Sequence, residues 1–209
     1  MENMARHRII GFDREMMSFT DWLTDARAKT SIFSISGIGG IGKTTLLLQM
    51  ARTARQFSVR SLWLDGRGGL TTSGSFLASL EMSLATEYGR TRDRDAALLS
   101  YIASELSLVP TVLLIDNCEE IERLEGWLFS SFLPELKSAR VLFVCASRNG
   151  LPLQWQTNPE WKSRLRRFPL RLFTREEVYD YLGSSGLPVE LQREGRLPRR
   201  RTATRCRSP

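Results

Sequence analysis

Histidine occurs once in the chain, at His7, and cysteine three times, at Cys118, Cys145 and Cys206. None of these residues has the spacing of a zinc-ligand set, which argues against a zinc centre. Three thiols are also too few to staple a small secreted scaffold, so a reducing, cytoplasmic setting is expected. No apolar run approaches the ~18–20 residues that a membrane-spanning helix needs. The opening stretch MENMARHRIIGFDRE has no apolar signal core, and no internal repeat is visible. Apolar residues themselves are plentiful. At 42% of 209 residues they exclude wholesale disorder and suit one domain with a sizeable core.

The charge is +7, but it is concentrated at one end. Residues 189–209 hold seven arginines and two glutamates, a net of +5, which leaves +2 for the other 188 residues. A basic groove is therefore not expected on the folded part, and nucleic acid is not the expected partner of the core. The end stretch, LQREGRLPRRRTATRCRSP, has almost no large apolar residue and no period. It reads as a disordered, solvated tail.

The most informative stretch is Gly37-Ile38-Gly39-Gly40-Ile41-Gly42-Lys43-Thr44-Thr45, which fits G-x-x-x-x-G-K-[ST], the phosphate-binding loop. Glycines let the backbone turn where a Cβ would clash and let N–H groups point inward around a phosphate. Lys43 supplies an ammonium for phosphate oxygens, and Thr44 supplies a hydroxyl for Mg²⁺. The context suits the motif. SIFSIS, residues 31–36, alternates like a strand. KTTLLLQMARTARQ, residues 43–56, reads as a helix whose positive end faces the loop, with Leu46, Leu47, Met50, Ala51 and Ala54 on one side.

Before the loop, IIGFDREMMSFTDWL predicts a turn at Gly11 and a helix that buries Met16, Phe19, Trp22 and Leu23. Ile10, Gly11 and Phe12 either pack this helix or wall an adenine pocket, since apolar walls and free backbone groups suit a flat purine. VRSLWLD, residues 59–65, reads as a second strand, followed by glycines. Helices are expected over about 73–88 and 94–107. Their core stripes are Leu77, Leu80, Leu84 and Tyr88 on the first, and Leu98, Tyr101, Ile102 and Leu106 on the second. TVLLID, residues 111–116, is the continuous apolar run of a strand buried on both faces. Asp116 closes it, at the edge where open α/β sheets bind ligands, and can complete a Mg²⁺ shell opposite Thr44.

Asn117 follows, where a hydrolase of this kind often carries a second acid. An amide can orient a water but cannot take its proton. Glu119 or Glu120 can serve as the base instead, or can form the solvated first turn of a helix. ARVLFVCASR, residues 139–148, predicts a fourth strand with Arg148 just past its end, placed to contact a γ-phosphate. An irregular segment with a short helix follows over 149–167. FPLRL, residues 168–172, suggests a fifth strand, and Thr174 caps a last helix, TREEVYDYLGSSG.

The stretches IIGFDRE, GIGGIGKTTL, VLLIDNCEEI, VLFVCASR and LRLFTREEVYDYL, in this order, resemble the STAND branch of P-loop ATPases, with its NB-ARC modules and its AAA+ and Orc-type neighbours. The resemblance covers roughly residues 9–188. It implies an α/β fold, a three-layer α/β/α sandwich with a parallel sheet of order 5-1-4-3-2. It also implies ATP or ADP with Mg²⁺, and a switch that assembles on triphosphate. By position, Lys43 and Thr44 are the Walker A pair, Asp116 the Walker B acid and Arg148 the sensor arginine. Phe12 stands where many members have Arg, and Asn117 replaces the second acid.

The expected organisation is an adenine-side segment and helix over 1–30, the nucleotide-binding core over 31–172, the start of a lid over 173–188, and the tail over 189–209. Winged-helix, sensor and effector parts are missing, and the Arg-rich end reads as a truncated or frameshifted product. The expected nucleotide contacts are Ile10, Gly11, residues 37–45 and Arg148. The expected catalytic set is Lys43, Asp116, Asn117, Glu119 and Arg148, and the metal ligands are Thr44 and Asp116. The function expected is a slow ATPase acting as a nucleotide-dependent regulatory switch, with homo-oligomer formation possible and no membrane partner. The rival classes are a nucleotide-gated interaction module without catalysis and a DNA-associated Orc- or RecA-type ATPase. A small-molecule phosphotransferase would need an acceptor pocket with its own base.

Overall fold

The computed structural model describes residues 11–172 and 174. Phe12–Leu172 form one compact unit. Gly11 and Thr174 fall in a second unit, whose other residues lie outside those described. Ile10, the lid helix and the Arg-rich tail therefore lie outside the described residues, as do the sequence expectations placed on them.

Five strands form one sheet: β1 (Ser31–Ser36), β2 (Arg60–Asp65), β3 (Thr111–Asp116), β4 (Val141–Ser147) and β5 (Leu165–Pro169). Their order is β2-β3-β4-β1-β5 and every pairing is parallel. Read from the other edge this is 5-1-4-3-2, the order the resemblance implies. β3 and β4 sit inside the sheet and are buried at every position, which is why TVLLID and VLFVCAS are apolar without alternation. β5 is an edge strand. Arg166, Arg167 and Pro169 are exposed while Phe168 is buried. Proline is tolerated there because an edge can spare an N–H. The fifth strand thus starts three residues earlier than FPLRL suggests, since arginines on an exposed edge hide a strand from an apolar reading.

Four long helices flank the sheet: α1 (Asp13–Thr24), α2 (Lys43–Gln56), α3 (Ser73–Tyr88) and α4 (Leu98–Leu108). Alternation along the strands sends Ile32, Leu62, Leu64, Leu113, Ile115, Phe143 and Cys145 into one core, shared with α3, α4 and residues 118–136. The same alternation leaves Phe33, Ile35, Val112, Leu114 and Val144 for the opposite face, where α2 packs across β2, β3 and β4 and α1 packs on α2. α4 begins at Leu98 rather than near 94, because the charged stretch before it closes a turn, Ala96 N–H to Asp93 C=O at 3.1 Å. Residues 118–135 are helical but irregular, a 3-10 stretch leading through a single π turn at Leu128–Phe132. Phe132 pays for this irregularity with packing, making edge contacts to Phe76 and Phe143 with ring centroids 5.2 and 6.1 Å away.

Within the expected core stripes, Met16 is only half-buried and Glu15 takes a buried place on α1. Leu98 and Tyr101 are likewise half-buried, and Tyr88 is exposed. The Tyr88 hydroxyl instead brackets the peptide of Ser61, accepting its N–H at 3.0 Å and donating to its C=O at 2.9 Å.

Candidate functional site

The carboxyl ends of the five strands lie along one edge of the sheet, so Ser36, Asp65, Asp116 and Ser147 open onto a common rim. β1 runs straight into the glycine loop, and the loop runs into α2 with no intervening residue, since Gly42 is the N-cap and Lys43 the first helical position. Gly42 has φ +103° and Gly40 φ +79°, conformations that residues with a Cβ rarely adopt. At Gly42 a Cβ would also meet the Phe12 ring at 3.0 Å. Phe12, buried at the start of α1, therefore backs the loop where the resemblance leads one to expect an arginine. The loop is tied to its neighbours on both sides. Gly37 N–H donates to Arg148 C=O at 3.2 Å, and Leu170 N–H to Ser36 C=O at 2.7 Å.

Lys43 turns its ammonium back across the loop mouth, donating to the carbonyls of Gly37 at 2.6 Å and Ile38 at 3.1 Å. Thr44 donates its hydroxyl to Asp116 Oδ2 at 2.7 Å. Asp116 is buried, and its other oxygen accepts the Asn117 N–H at 3.0 Å. Residues 72 apart in sequence thus meet at one point because α2 lies over β3. Lys43 and Asp116 share one property: among the described residues neither makes an ion pair.

The donor set can be tested against Mg²⁺ and a nucleotide. A hydroxyl and a carboxylate are hard oxygen ligands, and Mg²⁺ takes one or two such groups and completes its shell with phosphates and water. No cluster of three or more acids, histidines or cysteines is present among the described residues. The residues fit the group. Thr44 and Asp116 would hold the metal. Lys43, the loop N–H groups and the first turn of α2 would hold phosphate.

Beyond Asp116 the rim widens into a cleft of about 490 Å³, lined by Gly66, Arg67, Thr71, Asn117, Glu119 and Arg148 among others. Arg148 is exposed and lines this cleft, and its backbone N–H donates to Glu119 Oε1 at 2.8 Å. Glu119 thus caps the end of β4 with one oxygen. Asn117 sits at φ +53°, ψ +51°, left-handed for a residue with a side chain. Its amide Nδ2 donates to Asp65 Oδ1 at 2.9 Å. Asp65 also accepts from Arg67: the backbone N–H at 3.0 Å, Nε at 3.4 Å and Nη2 at 3.3 Å. Burial pushes the Asp65 carboxyl up, but the hydrogen bonds from Arg67 and Asn117 outweigh it and hold the group below the usual carboxylate range.

The structure brings together Lys43, Thr44, Asp116, Asn117, Glu119 and Arg148 on one rim. Ile10 lies outside the described residues, and Gly11 has φ +93° in the separate unit. Sequence reasoning missed Asp65. An acid ending the strand that pairs directly with β3 was the available signal, because the expected strand order already set β2 beside Asp116.

No protein-family model matches this sequence, and no curated protein matches it. Solved structures do match in fold. The Drosophila ORC bound to DNA aligns with TM-score 0.61 at 18% identity, over 83% of this chain and 46% of that one. The Aeropyrum pernix ORC2 protein, solved in ADPNP–ADP complexes, aligns with TM-score 0.56 at 13% identity, over 82% and 50%. Domain III of the Thermotoga maritima replication initiation protein DnaA aligns with TM-score 0.51 at 18% identity, over 87% and 74%. The chain spans about half the length of the first solved structures it matches. At these identities the likeness establishes the fold alone, a P-loop α/β/α sandwich. The expectation that nucleic acid is no partner finds no support here, since structures of this fold include proteins bound to DNA. No helix among the described residues is long and apolar enough to cross a membrane.

Proposed function

We propose that this chain is an ATP-binding P-loop NTPase domain of the STAND/AAA type, a nucleotide-dependent regulatory switch that hydrolyses ATP slowly. The observation that carries this reading is the pair of ionically unmatched charges on the rim. Lys43 rests on neutral carbonyls and Asp116 on a hydroxyl and an N–H. A Mg²⁺–nucleotide offers each the opposite charge. Mg²⁺, when bound, would supply positive charge against the charge that builds during phosphoryl transfer. The chain supplies the rest. Lys43 and the loop hold the phosphates, Thr44 and Asp116 orient the metal, and Arg148 reads the γ-phosphate from the end of β4. Asn117 stands where a water must be oriented and cannot accept its proton. Slow turnover follows, because general-base help contributes about 10²–10⁴-fold. Solution of a protein of this fold with ADPNP and ADP is consistent with this reading. ATP titration and phosphate release on the same sample test it. Tight Mg²⁺-dependent binding with slow release is expected, and absence of ATP binding overturns it. Binding with no release at all favours a nucleotide-gated module without catalysis.

A second reading, association with DNA, is favoured by a local feature that net charge conceals. Residues 162–171 hold Lys162, Arg164, Arg166, Arg167 and Arg171 and no acid. Arg166 and Arg167 are exposed on the edge strand β5. If this strip contacts phosphates, Arg166→Ala with Arg167→Ala should weaken duplex binding at every sequence and lower the salt slope by about one per arginine. Unchanged binding would remove this reading.

A further inference from the structure

The geometry points to Asp65 as a positioning residue: it clamps the Asn117 amide so that only the amide oxygen is left to face a reacting water. This rests on the proposed ATPase reading. A carboxylate can only accept, so the atom 2.9 Å from Asp65 Oδ1 is the amide nitrogen and not the oxygen. The clamp therefore fixes which end of Asn117 is free. Among the described residues nothing donates to Asn117 Oδ1, and Asn117 lines the cleft together with Arg148.

Three further features hold the clamp in register. Asp65 and Asp116 are paired positions on neighbouring parallel strands, so Asn117 begins one residue past the level of Asp65. The left-handed conformation of Asn117 turns its side chain back toward β2 rather than along β3. Gly66 lets the chain after β2 pass against this turn, for a Cβ at Gly66 would lie 2.0 Å from the Asn117 carbonyl oxygen. The close approach is built into the backbone and does not depend on side-chain chance.

Asp65 is close enough to the rim to invite the role of displaced general base. Its hydrogen bonds decide against that. Both oxygens are occupied by donors from Arg67 and Asn117, and the carboxyl is held below the usual range. Such a carboxylate is a poor proton acceptor. In the step served, the water oxygen bonds to the γ-phosphorus and the bond from phosphorus to the bridging oxygen breaks. ADP takes that electron pair, and the water proton passes to a phosphate oxygen. Asn117 Oδ1 accepts one O–H of the water and aligns it. Asp65 keeps the amide from flipping and presenting N–H groups, which would repel the water's hydrogens.

The test uses the full chain with ATP and Mg²⁺. In the nucleotide-free protein the Asn117 side-chain amide signals, identified by their loss in Asn117→Ala, are expected at shifted, well-separated positions. In Asp65→Ala they should collapse to those of a solvated asparagine. Asp65→Ala should bind ATP within about twofold of wild type but slow single turnover by about tenfold to hundredfold, the scale of a misoriented reactant. Asp65→Asn keeps an acceptor for the Arg67 N–H and hence the turn, so it should lose less stability than Asp65→Ala. Its new N–H can pair with the Asn117 oxygen, so either orientation of the amide is held and the rate should fall as well. An Asp65→Ala protein with normal ATP affinity and normal turnover, or with unmoved Asn117 signals, overturns the clamp and leaves the ATPase reading standing. A wild type that binds no ATP overturns that reading, and the positioning role falls with it.

Discussion

Polar clusters sit at both ends of β2 and β3, and the two ends are built on opposite plans. At the amino end, the Glu105 carboxylate of α4 is buried and takes a bidentate pair from Arg90, at 2.9 and 2.8 Å, with Arg60 at 3.5 Å. Arg60 also lies over the Tyr88 ring, 5.2 Å from its centre. Charge meets charge there, and every partner belongs to the chain. At the carboxyl end Asp65 is paired with Arg67 at the surface, but Lys43 and Asp116 hold neutral groups instead. Asp116 is a buried carboxylate held by one hydroxyl and one N–H, and a buried charge is costly without an opposite charge or a full set of donors. The first cluster holds the sheet to its helices. On the function proposed above, the second is a set of contacts that a bound nucleotide and metal would exchange for their own.

The contrast breaks most visibly at Glu105. Glu105→Ala leaves Arg60 and Arg90 without their anion and should cost about 3 kcal/mol, a fall in melting temperature on the order of 10 °C for a chain of this size. ATP affinity should not change. A loss of ATP affinity at unchanged melting temperature would show that the two ends are not separate. The pH dependence has a definite sign. The Arg90 hydrogen bonds, against burial, hold the Glu105 carboxyl below its ordinary value. A lowered carboxyl contributes stability that is full above its unfolded value and is lost as pH falls through the folded one. The melting gap between wild type and Glu105→Gln should therefore narrow as pH falls below the ordinary carboxylate range.

Lys43→Ala is the converse. It removes a charge-assisted contact of roughly 1.5–3 kcal/mol, about a 10- to 150-fold loss of ATP affinity. Melting of the nucleotide-free protein should hardly move, since Lys43 pairs only with carbonyls that water can satisfy. Calorimetric titration with ATP checks the first point and a melting curve the second. Equal affinity in both proteins would remove Lys43 from the site. Arg148→Ala should act more weakly and more selectively. Arg148 lines the cleft beyond Asp116, so ATP should weaken by about tenfold and ADP much less. Equal weakening of both would make Arg148 a structural residue.

How much of this was legible in the sequence differs between the two ends. The glycine loop, Lys43, Thr44 and Asp116 announce themselves, because phosphate and Mg²⁺ chemistry dictates residue types at fixed spacings. SIFSIS, TVLLID and the helix 43–56 were readable to the residue, since burial on both faces or a clear stripe marks them. β5 was displaced in the reading because Arg166 and Arg167 are ordinary on an edge strand and unremarkable in a sequence. The Glu105 cluster was invisible. It joins residues from β2, the turn after α3, and α4, and nothing in local spacing says that these meet. Asp65 lies between these cases. Its neighbour strand was foreseeable, but its partner was not, because the left-handed turn at Asn117 is what brings the amide across.

That turn makes the last and smallest effect the most discriminating. From the sequence, Asn117→Asp looks like the restoration of a missing catalytic acid. In the structure it sets a second carboxylate against Asp65, where an amide N–H now sits 2.9 Å away. Like charges at that distance disfavour joint ionisation, so one group should take up a proton and the gain in rate should be small or absent. The single change should destabilise by about 1–2 kcal/mol, less than a buried pair would, since the Asp65 side chain is 41% exposed. Asp65→Asn alone should cost less, because two amides can still form one hydrogen bond. Making both changes reverses the polarity of the pair and restores the bond, so the double variant should recover about 1 kcal/mol of the summed losses. It also carries an unopposed carboxylate at position 117, beside Asp116. Phosphate release should then exceed that of wild type, while Asn117→Asp alone does not. Denaturant melts of the four proteins measure the coupling, and single-turnover release measures its use. If the two losses simply add, Asp65 and Asn117 are neighbours without being partners.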